Sequence, residues 1–409
     1  MEGIRFIHTA DLHLDSPFLG LNHLPKDLFE RIQESTFAAF EKVVDLAIEQ
    51  AVDFVVIVGD LFDGEDRSIK AQARLRKQME RLRDAEIFAF ITHGNHDHLA
   101  GSWLMLDMPE NVQIFSSEVE MKSVTVKSGC NVHLYGFSYP ERHVVDRKIS
   151  EYEKVGEAHF HIGLLHGHCE GGISLHQPYA PFSIVELLQK DMDYWALGHI
   201  HKKQILNEDP FIVYPGNIQG RHRNEDGEKG CYIVTLESSG HSQLEFHETD
   251  IIRWESVDLN CEENMGLTDL YTIITQHMET LNSIGLGIML EINLQNPSVI
   301  SADLKLKIDN GEFLEMLQDG IDFTEAFVWP YKINLNFAAE KANSTLIDVS
   351  FIHMLNLAIK DMEKDTFDEA VSSLFSHIYG SRYLTQIEEI EKKALLESAK
   401  ELIVRQLGN

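Results

Sequence analysis

Residues 54–60 read FVVIVGD, and the passage from an unbroken apolar run into Gly59-Asp60 decides how this chain folds. A run this short, rich in β-branched side chains, reads as a strand covered on both faces. The pattern recurs in FIHTADLH from Phe6, IFAFITHGNHD from Ile87 and HIGLLHGH from His161, where apolar runs end abruptly in Asp, Asn or His. Ile4–His8, Phe54–Val58, Ile87–Ile91, Val132–Tyr135 and Ile162–Leu165 are therefore expected as strands. Leu28–Gln50 and Ser68–Arg83, periodic and free of Gly and Pro, are expected as helices between the first three. Strand and helix in alternation give an α/β layer architecture. In open α/β sheets ligands bind in the crevice beyond the carboxyl ends of the strands, which is where these polar residues fall.

Working outward, Phe211–Tyr214 and Cys231–Leu236 flank a polar loop from Gly220 to Gly230. The α/β unit is expected to span 1–258. A small α+β domain follows over 259–340, with Leu267–Leu281 and Glu312–Leu317 helical and Ile288–Leu294 and Ala326–Leu335 extended. Residues 341–409 read as helical, with a T-x-x-E capping box at Thr366 and Glu369. The last helix, about 385–407, carries Glu388/Lys392 and Glu389/Lys393 as i,i+4 pairs.

The 409 residues carry 35 Lys+Arg against 66 Asp+Glu, a formal charge of −31, which excludes a basic, electrostatically driven nucleic-acid binder as the default. The first 220 residues hold 20 basic and 33 acidic side chains and the rest 15 and 33, so both parts are acidic. A polyanionic substrate would need its positive charge from elsewhere, and a bound divalent cation is the simplest source. Cys130, Cys169, Cys231 and Cys261 are too far apart for a C-x-x-C motif, which fits a reducing cytoplasm. Met1–Asp11 has no cationic segment followed by an apolar one, and no long apolar run exists, so neither secretion nor a membrane span is expected. Of 21 histidines, 15 lie within residues 1–220.

The chemistry lies in Asp11-Leu12-His13, Gly59-Asp60-Leu61-Phe62-Asp63, Gly94-Asn95-His96-Asp97, His166-Gly167-His168 and Gly198-His199-Ile200-His201. Mixed Asp, Asn and His ligation suits Mn²⁺, Fe²⁺ or Zn²⁺ better than thiolate-seeking metals. The positions are too many for one ion and about right for two, which together activate water and neutralise the oxygens of a phosphodiester.

The ordered series DLH, GDLFD, GNHD, HGH and GHIH resembles the calcineurin-like metallophosphoesterase superfamily over about residues 1–250. Within it, ADLHLDSPF, VGDLFD and YWALGHIH are most similar to DNA-repair exonucleases of the SbcD type, in the YhaO-like group. The resemblance implies a sheet sandwich flanked by helices, with a small α+β capping domain and C-terminal helices. It implies that Asp11, His13, Asp60 and His201 bind one ion and that Asp60, Asn95, His166 and His199 bind the other. His96 would then stabilise the transition state or protonate the leaving oxygen, with Asp97 orienting its ring. Family likeness further implies two divalent ions, commonly Mn²⁺ with Fe²⁺, Zn²⁺ or Mg²⁺ as alternatives, and attack on DNA ends by a dimer working with an SMC-like ATPase. One departure stands out: Asn217-Ile218-Gln219-Gly220-Arg221 replaces the Ser-Pro-like continuation of many relatives, so substrate selectivity does not carry over at this loop.

Beside these, His8 reads as an ordinary core or surface histidine, and His93 and His168, next to the motifs, either do the same or contact substrate or back a ligand. Asp15 and Asp63 either orient a ligand or cap a turn. Arg221, His222 and Arg223 are either a solvated loop or a phosphate contact, and the basic stretch Arg67–Arg83 is either a solvated helix face or a DNA- or subunit-facing one. The expected function is that of a metal-dependent DNA nuclease in repair, an exonuclease with or without endonuclease activity. The alternative is a phosphatase or phosphodiesterase of small molecules or proteins using the same centre.

Overall fold

A computed structural model describes residues 3–18, 20–21, 23–64, 68–101, 106–170, 179–337, 349–362, 367–368, 370–371, 387 and 389–407. The chain divides into two units, Met1–Asn336 and Phe337–Asn409.

In the first unit β1 (Gly3–Ala10), β2 (Phe54–Val58), β3 (Phe88–Thr92) and β4 (Val112–Ile114) run parallel. Helices α1 (Lys26–Glu49) and α2 (Ile69–Asp84) connect the first three strands. Antiparallel β11 (Gly230–Glu237) and β12 (Ser242–Glu248) complete this sheet in the order β12-β11-β1-β2-β3-β4. A second six-stranded sheet has β6 (Asn131–Gly136), β7 (Phe160–His166), β8 (Tyr194–Gly198) and β10 (Phe211–Tyr214) in parallel. β5 (Glu120–Thr125) and β9 (Gln204–Glu208) form its antiparallel edges.

The two-residue period of a strand explains the apolar runs. In β2, Phe54, Val56 and Val58 face the core between the sheets, together with Phe6, Phe90, Leu134, Ile162, Leu164 and Ala196. Val55 and Ile57 face the other way, against Phe40, Val44, Leu75 and Met79 of the two helices. Every side chain of β2 is therefore buried, which is why the sequence shows no alternation. His8 is a satisfied core histidine: its Nδ1 lies 2.9 Å from the Tyr194 hydroxyl and its Nε2 3.1 Å from the Leu197 carbonyl, so it links β1 to the facing sheet. Burial lowers its pKa to about 3 against the opposing pull of the Leu197 hydrogen bond, so the ring is neutral.

A third sheet holds β13 (Ile252–Asn260), β14 (Gly287–Gln295) and β15 (Phe327–Asn336), all parallel. The expected boundary at Asp258 falls inside β13. Helix α4 (Leu267–Asn282) makes the first crossover, and α5 (Ala302–Asp309) with α6 (Glu312–Gln318) the second. One face of this sheet buries Leu290 and Ile292 against Leu270, Ile274 and Leu304. The other sets Trp254, Met289 and Trp329 against Leu28 and Ile32 of α1.

The second unit contains helices Val349–Asp361 and Glu389–Leu407. Thr366, Glu369 and Glu388 of the expected cap and ion pairs lie outside the described residues. No helix of the described residues is long and apolar enough to cross a membrane.

Candidate metal centre

The polar clusters follow the carboxyl ends of β1, β2 and β3 in one sheet and of β7 and β8 in the other, and these strands face one another across the sandwich. Backbone hydrogen bonds join the first two loops, from Asp11 N to the Gly59 carbonyl at 3.2 Å and from His13 N to the Asp60 carbonyl at 2.9 Å. Leaving the pleat requires left-handed backbone at Asp11 (φ 51°), His13 (43°), Asp60 (48°) and His199 (100°). Such conformations cluster at functional sites because surrounding structure must hold them in place. Two glycines are demanded by space. A Cβ on Gly59 would lie 2.0 Å from His166 Nδ1, and one on Gly94 would lie 2.3 Å from Asp60 Oδ1.

Asp11, His13, Asp60 and His201 each offer a ligand atom within 4.8 Å of the others. His13 Nε2 and His201 Nε2 are 3.1 Å apart. His201 Nδ1 lies 2.7 Å from Glu225 Oε1; a carboxylate only accepts, so Nδ1 carries the proton and Nε2 keeps a bare lone pair. Arg221 Nη2 is also near that Nδ1, at 3.3 Å, but it donates to Glu225 Oε1 at 3.1 Å, and the shorter carboxylate contact decides the tautomer. His13 Nδ1 stands 2.8 Å from Asp63 Oδ1 without hydrogen-bond alignment.

On the other side of Asp60, His166 Nδ1 lies 3.1 Å from the Val58 carbonyl, and Nε2 lies 3.0 Å from Asn95 Oδ1 and 3.5 Å from Asp60 Oδ2. A metal on Nε2 would leave the ring proton on Nδ1, where the Val58 carbonyl accepts it. The bare lone pair of His201 Nε2 and the carboxylate oxygens of Asp11 and Asp60 are donors that a cation placed among them would coordinate. Donor atoms bonded to one ion at ~2.0–2.2 Å stand roughly 3 Å from each other, the spacing of the His13–His201 pair and of the His166–Asn95 pair. His199 adjoins this half, its ring centroid 5.3 Å from that of His166 and its backbone N–H donating to both Asp11 oxygens at 3.1 and 3.0 Å.

The electrostatics agree. Burial, and then the charge of Asp60, push the Asp11 carboxyl well above its ordinary range. Burial lowers the His13 imidazole, helped by Arg221, and lowers His199, helped by His166. Acids pushed up beside imidazoles pushed down are groups that a divalent cation would stabilise in their ligating forms.

His96 is half-buried beside this cluster. Its backbone N–H donates to Asp60 Oδ1 at 2.9 Å, its Nδ1 lies 3.1 Å from the Asp63 carbonyl, and its ring is edge-on to His13 at 5.1 Å. The expected hold of Asp97 on that ring is corrected here. The Asp97 carboxylate accepts from Leu61 N at 3.0 Å and Gly94 N at 2.7 Å and meets His93 Nδ1 at 2.8 Å, so it fixes the turns after β2 and β3. Adjacent residues on a tight turn project to different sides, and His93 reaches the acid instead.

Arg221 is neither solvated nor open to a phosphate. Its side chain is 12% exposed, donating through Nη1 to Asp63 and through Nη2 to Glu225. Glu225 is the residue that sequence reasoning missed. Burial alone would push its carboxyl up, but the hydrogen bond from His201 and the charge of Arg221 outweigh this and hold it far below the usual carboxylate range. Its only sequence signal is an acid four residues beyond Arg221 in a polar loop.

Residues 4–203 match the calcineurin-like phosphoesterase family. The chain is 39% identical over 411 aligned residues to the uncharacterized metallophosphoesterase YhaO of Bacillus subtilis, covering 100% of this chain and 98% of that protein. It is 26% identical over 315 residues to the DNA double-strand break repair protein Mre11 of Methanosarcina acetivorans, covering 73% of this chain and 47% of the relative. The Thermoplasma acidophilum protein of the same name is 25% identical over 258 residues, 58% of this chain and 64% of the relative. The chain thus spans about half the length of the first Mre11 protein and under two thirds of the second. On this full-length likeness and this site, the chain belongs to the calcineurin-like metallophosphoesterases, a family of phosphoester hydrolases that use a dimetal centre.

Proposed function

We propose that this hydrolase is a DNA nuclease acting in repair, with Asp11, His13, Asp60 and His201 holding one ion and Asp60, Asn95, His166 and His199 the other. The observation that carries the reading is the convergence of Asp11, His13, Asp60 and His201, with the bare Nε2 of His201 turned into the cluster and His166 Nε2 on the other side of Asp60 at 3.5 Å. DNA as substrate is supported by the Mre11 relatives and by the third sheet and C-terminal helices, which a small-substrate phosphatase would not need.

Two divalent ions, of which Mn²⁺ suits the O/N donor set, would supply an activated water and neutralise charge on the phosphoryl oxygens. The protein's own part is positioning and proton handling. Asp60 is shared, so it sets the spacing of the two halves. His96 Nδ1 faces a carbonyl, which only accepts, so Nε2 is the atom that exchanges a proton with the leaving oxygen. The reading includes a cytoplasmic protein, homodimerisation and an SMC-like ATPase partner. Apolar Met354, Leu357 and Leu395, exposed on the two C-terminal helices, support that partner contact.

The test compares Mn²⁺-dependent turnover on linear duplex DNA with turnover on a chromogenic phosphomonoester. Release of nucleotides from DNA ends, far exceeding phosphomonoester turnover, is the expected result. Efficient phosphomonoester hydrolysis with DNA left intact would make the chain a phosphatase and sink the nuclease reading.

A further inference from the structure

We propose that Glu225 is a positioning residue of the metal centre: it holds His201 in the orientation and tautomer that turn Nε2 toward His13, and Arg221 ties it to Asp63 beside His13. The inference deepens the reading above and rests on His201 being a ligand.

Glu225 is 5% exposed, and each of its contacts described here comes from a donor. Oε1 accepts from His201 Nδ1 at 2.7 Å and from Arg221 Nη2 at 3.1 Å. Oε2 accepts from Asn217 Nδ2 and from Arg221 N, both at 2.8 Å. Only a carboxylate can accept on both sides; a glutamine, flipped either way, would turn its NH₂ toward two donors. A brace for the 216–230 loop needs only Oε2. Oε1 is directed at the ring, and Arg221 passes from it to the Oδ1 of Asp63, which lies 2.8 Å from His13 Nδ1. Of the two imidazoles whose Nε2 atoms meet, His201 is hydrogen-bonded to its acid and His13 has Asp63 beside its far nitrogen, and a single guanidinium joins the two acids. A carboxylate on the far nitrogen of a ligating histidine fixes ring and tautomer, and its loss typically weakens metal binding roughly 10–100-fold.

The experiment uses the full chain stripped of metal. Long-range ¹H–¹⁵N correlation of the histidine rings in the wild type should show His201 protonated on Nδ1. Observation of the Nε2–H tautomer would overturn the proposal without any variant. Titration calorimetry with Mn²⁺ alone should then show Glu225→Gln binding one of the two ions roughly 10–100-fold more weakly. The melting temperature in chelator reports the fold separately. A Glu225→Gln protein that melts earlier but binds both ions like the wild type would reduce Glu225 to a loop brace. His201→Gln is the control: if it too binds both ions at full strength, the ligand assignment has failed rather than the role of Glu225.

Discussion

His96 and Asp60 touch through one backbone hydrogen bond, yet the chemistry assigns them separable tasks. In the proposed assignment Asp60→Ala removes the acid common to both halves, so metal content and turnover should fall together, because two cations would lose the anion that screens their repulsion. His96→Asn should retain metal and lower turnover roughly 10²–10⁴-fold, the usual contribution of a positioned acid or base. Elemental analysis of the two purified variants checks this, and loss of metal from His96→Asn equal to that from Asp60→Ala would defeat the assignment. At this scale the sequence was readable wherever a polar side chain ended an apolar run, since nothing in packing calls for Asp or His there. It was silent where a contact depends on the tertiary turn. Asp97 is adjacent to His96 in the chain but meets His93, and Glu225 meets His201 only because two loops cross.

Among the elements, the buried parallel strands were legible and the edges were not. β2, β3 and β7 are nearly continuous apolar runs, whereas β5, β9 and β12 are sheet edges with half-exposed, mixed sequences, and the alternation of Leu244 and Phe246 with polar residues in β12 is short. β13 escaped because the expected domain boundary at Asp258 cut through it, although its residues from Glu255 to Asn260 alternate in burial as a half-buried strand does. The short helix α3 (Ile184–Leu188) depends on local chemistry, since its five residues are too few to be stable alone. Ser183 and Glu186 form a capping box, and Arg147 donates to Glu186 from outside the helix. That guanidinium, followed by the Ser183 hydroxyl, lowers the Glu186 pKa from 4.5 to about 2. A depressed folded-state pKa stabilises above the unfolded value and is lost as pH falls toward the folded one. Glu186→Gln should therefore cost about 1 kcal/mol at neutral pH, a figure reduced by solvent screening, and the difference from wild type should shrink between pH 4.5 and about 2. Urea midpoints across that range provide the measurement. An unchanged difference at low pH would show that charge is not the cause.

For the molecule as a whole, the question is how a chain of charge −31 approaches a polyanion. The basic stretch in α2 does not answer it. Lys70 and Arg74 pair with Glu34, Arg81 with Asp45, Arg76 with Glu80 and Arg83 with Asp84, so this charge is largely spent within the protein. DNA binding without divalent ions should accordingly be weak, with a shallow dependence on salt because few counterions are released. Fluorescence anisotropy against salt concentration decides this, and tight metal-free binding that falls steeply with salt would require a basic surface elsewhere. The division at Asn336 makes a second prediction. Residues 1–336 should keep Mn²⁺-dependent cleavage of a simple DNA end but lose stimulation by an SMC-like ATPase. Full-strength co-purification of the shortened chain with the ATPase would place the contact outside the C-terminal helices. The left-handed backbone at Asp11, His13, Asp60 and His199 has a further consequence, which concerns heritable change. Asparagine adopts that conformation readily, is nearly the shape of aspartate, and at position 60 could offer an N–H to His166 Nε2 in the tautomer protonated on Nδ1. Asp60→Asn should thus raise the melting temperature of the metal-free protein by a few degrees, the equivalent of about 1 kcal/mol, while weakening its hold on Mn²⁺. A lineage selected only for thermal endurance would drift toward asparagine at this position, so a glycine or asparagine there in a natural homologue would mark a descendant that has given up hydrolysis.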